Sequence, residues 1–119
     1  MLKEEKEEIT LSFSIDIKGL KELQRTLEEL QEGLTVPTLN RWCRKIESEA
    51  KTNCPQEYRE SIQLRAVRIG ADKFDIEFKS SKGALPSVKK AIRTNLRLMP
   101  LTTKALFEVL LKKIEQQLG

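Results

Sequence analysis

The sequence of 119 residues contains no histidine, the side chain that most often serves as a general base or as a metal ligand. A serine or cysteine nucleophile activated by histidine is therefore excluded, and the five scattered glycines form no glycine-rich phosphate loop. Carboxylate pairs such as Glu28/Glu29 and Glu47/Glu49 lie on strongly charged helix faces, which is typical of a solvated surface. The sequence predicts a protein that is not an enzyme and has no cofactor.

Cysteine is also scarce, with only Cys43 and Cys54 in the chain. The two residues lie on one predicted helix, about 16 Å apart along its axis at 1.5 Å per residue, which is too far for a disulfide. Two cysteines without histidine do not form a structural zinc site. We therefore expect both to be small buried hydrophobic residues, and we predict no metal site.

Long apolar segments are absent too. No apolar run approaches the length of about 18 residues that a membrane-spanning helix needs, and the N-terminus lacks the basic-then-apolar pattern of a signal peptide. These features predict a cytoplasmic protein without membrane contact. The length fits one domain over residues 1–119, in which the charged segment 1–8 is expected to be frayed.

The clearest helical pattern runs from Thr35 to Cys54. Its apolar residues recur at helical spacing, and they are Leu39, Trp42, Cys43, Ile46 and Ala50. Pro37 fits the first turn, where its missing N–H would have no partner, whereas Pro55 disfavours helical geometry at Cys54 and ends the helix. We expect Trp42, the only tryptophan, to pack in the core.

Residues 9–17 alternate strictly between apolar and polar side chains, which predicts a half-buried strand. Two further strands are predicted over 61–69 and 74–79 as a hairpin, and helices over 16–33, 86–99 and from 102 to the C-terminus. The predicted fold is α+β, in the order β-α-α-β-β-α-α, with an antiparallel sheet of about three strands covered by helices. The predicted core comprises Leu11, Phe13, Ile15, Leu20, Leu23, Leu27, Leu30, Leu39, Trp42, Ile46, Ile76, Phe78, Ile92 and Leu106.

The last predicted helix carries apolar residues over about half of its circumference, which is wider than the stripe that one core normally requires. One interpretation is an interface with a second copy, for which the candidate self-association residues are Phe107, Leu111, Ile114 and Leu118. The other is a C-terminal helix that is fully buried within the monomer. The sequence alone leaves both open.

Charge is distributed unevenly along the chain. Residues 1–60 hold ten Lys and Arg against thirteen Asp and Glu, and residues 61–119 hold twelve against five, so a net charge of −3 is followed by one of +7. No acidic residue lies between Glu77 and Glu108. Seven basic residues occupy this segment, namely Lys79, Lys82, Lys89, Lys90, Arg93, Arg97 and Lys104. They are candidates for binding a polyanion such as nucleic acid, for facing an acidic protein surface, or for simple solvation.

Several short motifs occur in an order that resembles a phage family. They are Gly19, Leu20 and Leu23 in a GL-x-x-L helix, then Ala50, Lys51 and Pro55, then Tyr58, Ser61 and Ile62 before a strand. This order resembles the minor tail proteins of long-tailed phages and prophages known as tail-completion, tail-terminator or head–tail joining proteins, over about residues 9 to 79. The family's Thr-Gly after the proline is replaced here by residues 56–59.

The resemblance implies an α+β fold, no enzymatic activity and assembly into a ring. It predicts a structural protein of phage or prophage tail-completion type that acts by self-association, in the cytoplasm or as part of a virion. Its expected partners are further copies of the chain and other tail or connector proteins. The alternative is a small nucleic-acid-binding protein that uses the segment Lys79–Lys104.

Overall fold

The computed structural model describes residues 6–16, 36–70 and 73–118. Its strands are β1 (Glu8–Asp16), β2 (Gln63–Arg68) and β3 (Lys73–Ser81), and its helices are α1 (Val36–Asn53), α2 (Gln56–Arg59), α3 (Leu85–Leu96) and α4 (Leu101–Leu118). The predicted α+β class and the order of elements are confirmed. Of the helix predicted over residues 16–33, only Asp16 is described, as the last residue of β1, and the rest lies outside the described residues.

The three strands form one antiparallel sheet in the order β1-β3-β2. The central strand β3 pairs Phe78 with Leu11 of β1 and with Leu64 of β2. The predicted β2–β3 hairpin is confirmed, but β3 continues two residues beyond its predicted end. It does so because β1, which is distant in sequence, pairs along its whole length and places Glu8 opposite Ser81.

The core lies between one face of this sheet and the helices α1, α3 and α4. Six predicted core residues are buried, namely Leu39, Ile46, Ile76, Phe78, Ile92 and Leu106, while Ile15, Leu20, Leu23, Leu27 and Leu30 fall where no side chain is described. Leu11, Phe13 and Trp42 are only partly buried. Trp42 packs against the core without being fully buried in it, and its ring lies 5.4 Å from the Lys45 ammonium in a cation–π contact.

The connection between α1 and β2 contains the four-residue helix α2, which the sequence pattern did not predict. Tyr58 in α2 is buried, and its ring passes so close to Gly83 that a Cβ at that glycine would lie 2.6 Å from it. The Ser61 hydroxyl donates to the Tyr58 carbonyl at 2.6 Å and accepts from the Ser81 N–H at 2.9 Å. These contacts tie the connection to the end of β3.

The sheet also begins earlier than the sequence suggested. The Glu7 carbonyl accepts a hydrogen bond of 2.7 Å from the Lys82 N–H, and Glu8 is the first residue of β1. Two of the eight residues expected to be frayed are thus bonded to the far end of β3. Residues 1–5 lie outside the described part of the chain.

Candidate interaction surfaces

The four candidate self-association residues on α4 occupy different environments. Phe107, Leu111 and Ile114 are buried within the monomer at 1%, 9% and 0% exposure, whereas Leu118 is 38% exposed. Among the described residues, helix α4 packs mainly against α3 and also contacts β1. The monomer core therefore accounts for three of the four residues, as the second sequence interpretation proposed, and leaves Leu118 at the surface.

The basic segment Lys79–Lys104 is partly neutralised inside the chain. Lys79 forms an ion pair of 2.8 Å with Glu8 across β1 and β3. Lys89 and Arg93, one turn apart on α3, both contact the Glu115 carboxylate of α4, at 3.5 and 2.7 Å. The sequence could not reveal these partners because both carboxylates lie outside the segment. Lys82, Lys90, Arg97 and Lys104 have no ion-pair partner among the described residues.

This pairing predicts weak, salt-sensitive binding of duplex DNA. If only the four basic residues without an ion pair meet phosphates, the logarithm of affinity should fall with the logarithm of salt concentration at a slope of about −3.6, against about −6.3 for all seven. Fluorescence anisotropy with a labelled duplex across a salt series measures this slope. Lys90→Ala with Arg97→Ala should make it shallower by about 1.8, since two phosphate contacts would be lost. A wild-type slope near −6 would show that the ion pairs open on binding.

The face of the sheet that points away from the helices is polar, and several of its side chains bond to one another across the strands. Arg65 of β2 contacts the Glu77 carboxylate of β3 at 2.6 Å, and the Ser14 hydroxyl of β1 donates to Asp75 at 2.6 Å. A shallow cavity of about 390 Å³ on this face is lined by Thr10, Leu11, Ser12, Gln63, Arg65, Glu77, Phe78 and Lys79. Because each carboxylate already has a partner, we see a solvated surface here and not a site arranged for proton transfer.

The outer edge of β2 is closed by side chains of α1. Asn40 donates from its amide nitrogen to the Ala66 carbonyl at 2.9 Å and accepts from the Ala66 N–H at 2.9 Å. Glu47, two turns further along the same helix, accepts from the Leu64 N–H at 3.0 Å. Successive outward-pointing backbone groups of this edge strand are therefore satisfied without a further strand. Sequence reasoning missed both residues, since each looked like an ordinary polar position beside the apolar stripe.

The two cysteines are free and buried, as predicted. Burial, together with the nearby Glu47 carboxylate, raises the pKa of the Cys43 thiol to about 12, so this thiol stays protonated at neutral pH. Burial also raises the pKa of Cys54, against the smaller opposing effects of a hydrogen bond with Ser87 and of the Arg59 charge. Among the described residues, no three cysteine or carboxylate side chains come together as a metal site.

Within the described ranges no helix combines the length and apolarity needed to cross a bilayer. The chain was compared with models of protein families, with curated proteins and with solved structures. None of the three comparisons finds a match.

Proposed function

We propose that this protein is a non-enzymatic structural protein of phage or prophage tail-completion type, and that it acts by self-association. The proposal rests on the position in the fold of the residues whose motifs resemble this family. Ala50 and Pro55 mark the end of α1, and Tyr58, Ser61 and Ile62 form the connection that leads directly into β2. These residues pack and bond as one junction, and the proposal is supported by the fact that residues resembling the family's motifs act together in this chain.

The junction has a structural role that explains why such residues would recur. Ala50, Tyr58 and Ile62 are buried at 0%, 5% and 1% exposure, so they fix the angle at which the helix meets the sheet. The Ser61 hydroxyl extends the ladder at the end of β3 by accepting from the Ser81 N–H. A fold that must present a constant outer surface to identical neighbours requires this kind of rigid connection.

The charge distribution also favours assembly over nucleic-acid binding as the role of this protein. Three of the seven basic candidate residues, Lys79, Lys89 and Arg93, are held by carboxylates of the same chain. Such contacts orient strand and helix against each other and reduce the positive charge that a phosphate backbone would meet. In the proposed role the partners are further copies of the chain and other tail or connector proteins, in the cytoplasm or in the assembled virion.

Sedimentation velocity over a hundredfold range of concentration tests the proposal. We expect a species of at least twice the 13.7 kDa mass of the chain, because a structural protein of this type acts as an oligomer. Repeating the measurement at high salt is the control, since association driven only by opposite net charges would be screened. A monomer at every concentration would contradict self-association.

The neighbouring genes offer an independent test of the phage assignment. Capsid, portal and tail genes beside this one would support it. Translation or repair genes in that position would count against it, whatever the oligomeric state of the purified chain.

A further inference from the structure

We propose that strand β1 is the assembly strand of this protein, and that a second copy of the chain pairs with its outer edge in antiparallel orientation. Two three-stranded sheets would then join into one sheet of six strands. This inference rests on the proposed self-association and names the surface that performs it.

The hydrogen-bond pattern identifies which groups of β1 point outward. The bond from the Lys82 N–H to the Glu7 carbonyl makes residue 7 a hydrogen-bonded partner of β3. Because bonded and outward-pointing residues alternate along an antiparallel edge strand, Leu11 and Phe13 also bond inward, whereas the backbone groups of Thr10, Ser12 and Ser14 point away from the sheet. The same alternation makes Leu64 and Ala66 the outward-pointing residues of β2, as their bonds to α1 confirm.

The two edge strands of the sheet differ in whether their outward backbone groups are hydrogen-bonded. Asn40 and Glu47 of α1 occupy three outward groups of β2, the Leu64 N–H and both backbone groups of Ala66, which hinders further strand pairing there. In the described part of the chain, no side chain or backbone group bonds to the outward backbone groups of β1. Nine residues of unpaired edge would be a liability in a protein that has to remain monomeric, and proteins commonly block such edges. Closure of one edge alone is the arrangement expected when the other edge binds a partner.

Two side chains of β1 on the helix-covered face are also incompletely covered, although Ile9 on the same face is buried. Leu11 and Phe13 are only partly buried, while their neighbours Phe78 and Ile76 on β3 are each 1% exposed. A strand added beside β1 would place further apolar side chains next to Leu11 and Phe13. The missing coverage and the unpaired backbone groups thus lie along the same strand.

A second copy of β1 fits this edge because the strand is self-complementary. From Ile9 to Ile15 it carries no charge. In the antiparallel register that sets Leu11 opposite Leu11 of the second copy, Thr10 faces Ser12 and Glu8 faces Ser14, so that no like charges meet. Hydroxyl side chains would then pair on the polar face and apolar side chains on the covered face. A two-fold axis between the two Leu11 residues makes every other contact of this interface occur twice.

Hydrogen exchange followed residue by residue by NMR tests this inference directly. At concentrations where sedimentation shows a monomer, the amides of Leu11 and Phe13 should be protected, and those of Thr10, Ser12 and Ser14 should exchange rapidly. In the assembled protein the last three should become at least tenfold slower. Protection of these three amides in the monomer would overturn the inference, since the edge would then be covered within one chain.

Substitutions at Ser12 provide the second test. Ser12→Pro removes one outward N–H and leaves the inward ladder to β3 intact, and proline is tolerated on edge strands in this orientation. We expect it to weaken association by on the order of a hundredfold, since the ring also holds the incoming strand away. Ser12→Thr keeps both the N–H and the hydroxyl and should assemble like the wild type.

The outcomes separate the inference from the proposed function. Assembly of the wild type without added protection at Thr10, Ser12 and Ser14 would overturn the β1 interface and leave self-association standing. Equal association of Ser12→Pro and the wild type would do the same. A wild-type chain that stays monomeric would overturn both. Loss of assembly in Ser12→Pro, with the exchange pattern of the folded monomer retained, would support both.

Discussion

A chain carrying Ile114→Glu is expected to fail to fold at neutral pH. Ile114 is fully buried on α4, so the substitution would place an ionised carboxylate in the core. The effective cost of burying an unpaired charge is several kcal/mol, and the loss of apolar packing adds to it, whereas domains of this size are stable by only about 5–15 kcal/mol. Circular dichroism and urea titration would report the loss of cooperative unfolding.

Val109→Glu provides the matched control on the same helix. Val109 is 41% exposed, so its replacement should leave the free energy of unfolding within about 0.5 kcal/mol of the wild type. Ile114→Glu should also recover structure when the solution is acidified towards about pH 4, because the buried carboxyl has a raised pKa and is neutral there. A soluble, folded Ile114→Glu monomer would instead favour the first sequence interpretation, in which Phe107, Leu111, Ile114 and Leu118 form an interface between copies.

Asn40→Ala is expected to lower the free energy of unfolding by about 2–4 kcal/mol, measured by urea denaturation. The substitution removes both hydrogen bonds to Ala66. The N–H and the carbonyl of Ala66 are then left without a protein partner in a partly buried position. The penalty for each such group is about 1–3 kcal/mol, which exceeds the gain from the better helix propensity of alanine. Helix α1 would then be held to β2 by the Glu47–Leu64 bond and by apolar packing.

Asn53→Ala, on the same helix, provides the control for this loss. Its amide bonds only to the Glu49 carbonyl of its own helix and is exposed, so the change should be within about 0.5 kcal/mol. Asn40→Asp tests the hydrogen bonds at nearly constant side-chain size. The carboxylate still accepts from the Ala66 N–H, but it has no donor for the Ala66 carbonyl and places an oxygen next to it. If Asn40→Ala and Asn53→Ala proved equally mild, the closure of the β2 edge would have no energetic importance.

Local patterns in the sequence were sufficient where one face of an element is buried. The strict alternation of residues 9–17 predicted β1, and the spacing from Leu39 to Ala50 predicted α1 with Pro55 just beyond its end. These predictions succeeded because burial of one face imposes the period of the element on the sequence. The same argument identified the α+β class and six of the buried core residues.

Tertiary structure decided what depends on partners distant in sequence. Most of the wide apolar arc of α4 is buried within the chain, and no property of its own 18 residues distinguishes such burial from an interface between copies. Likewise, Glu115 is an ordinary charged residue until α3 brings Lys89 and Arg93 to it.

The difference between the two sheet edges also came from the fold alone. Asn40 and Glu47 have no special sequence pattern, and β1 looks like any half-buried strand. Only the strand order β1-β3-β2 shows that α1 closes one edge, and only the register shows that Thr10, Ser12 and Ser14 point outward from the other. The physical reason is that every residue type except proline offers the same backbone hydrogen-bonding groups. Which of them are satisfied therefore depends on the arrangement of the elements in space and leaves little trace in the side chains.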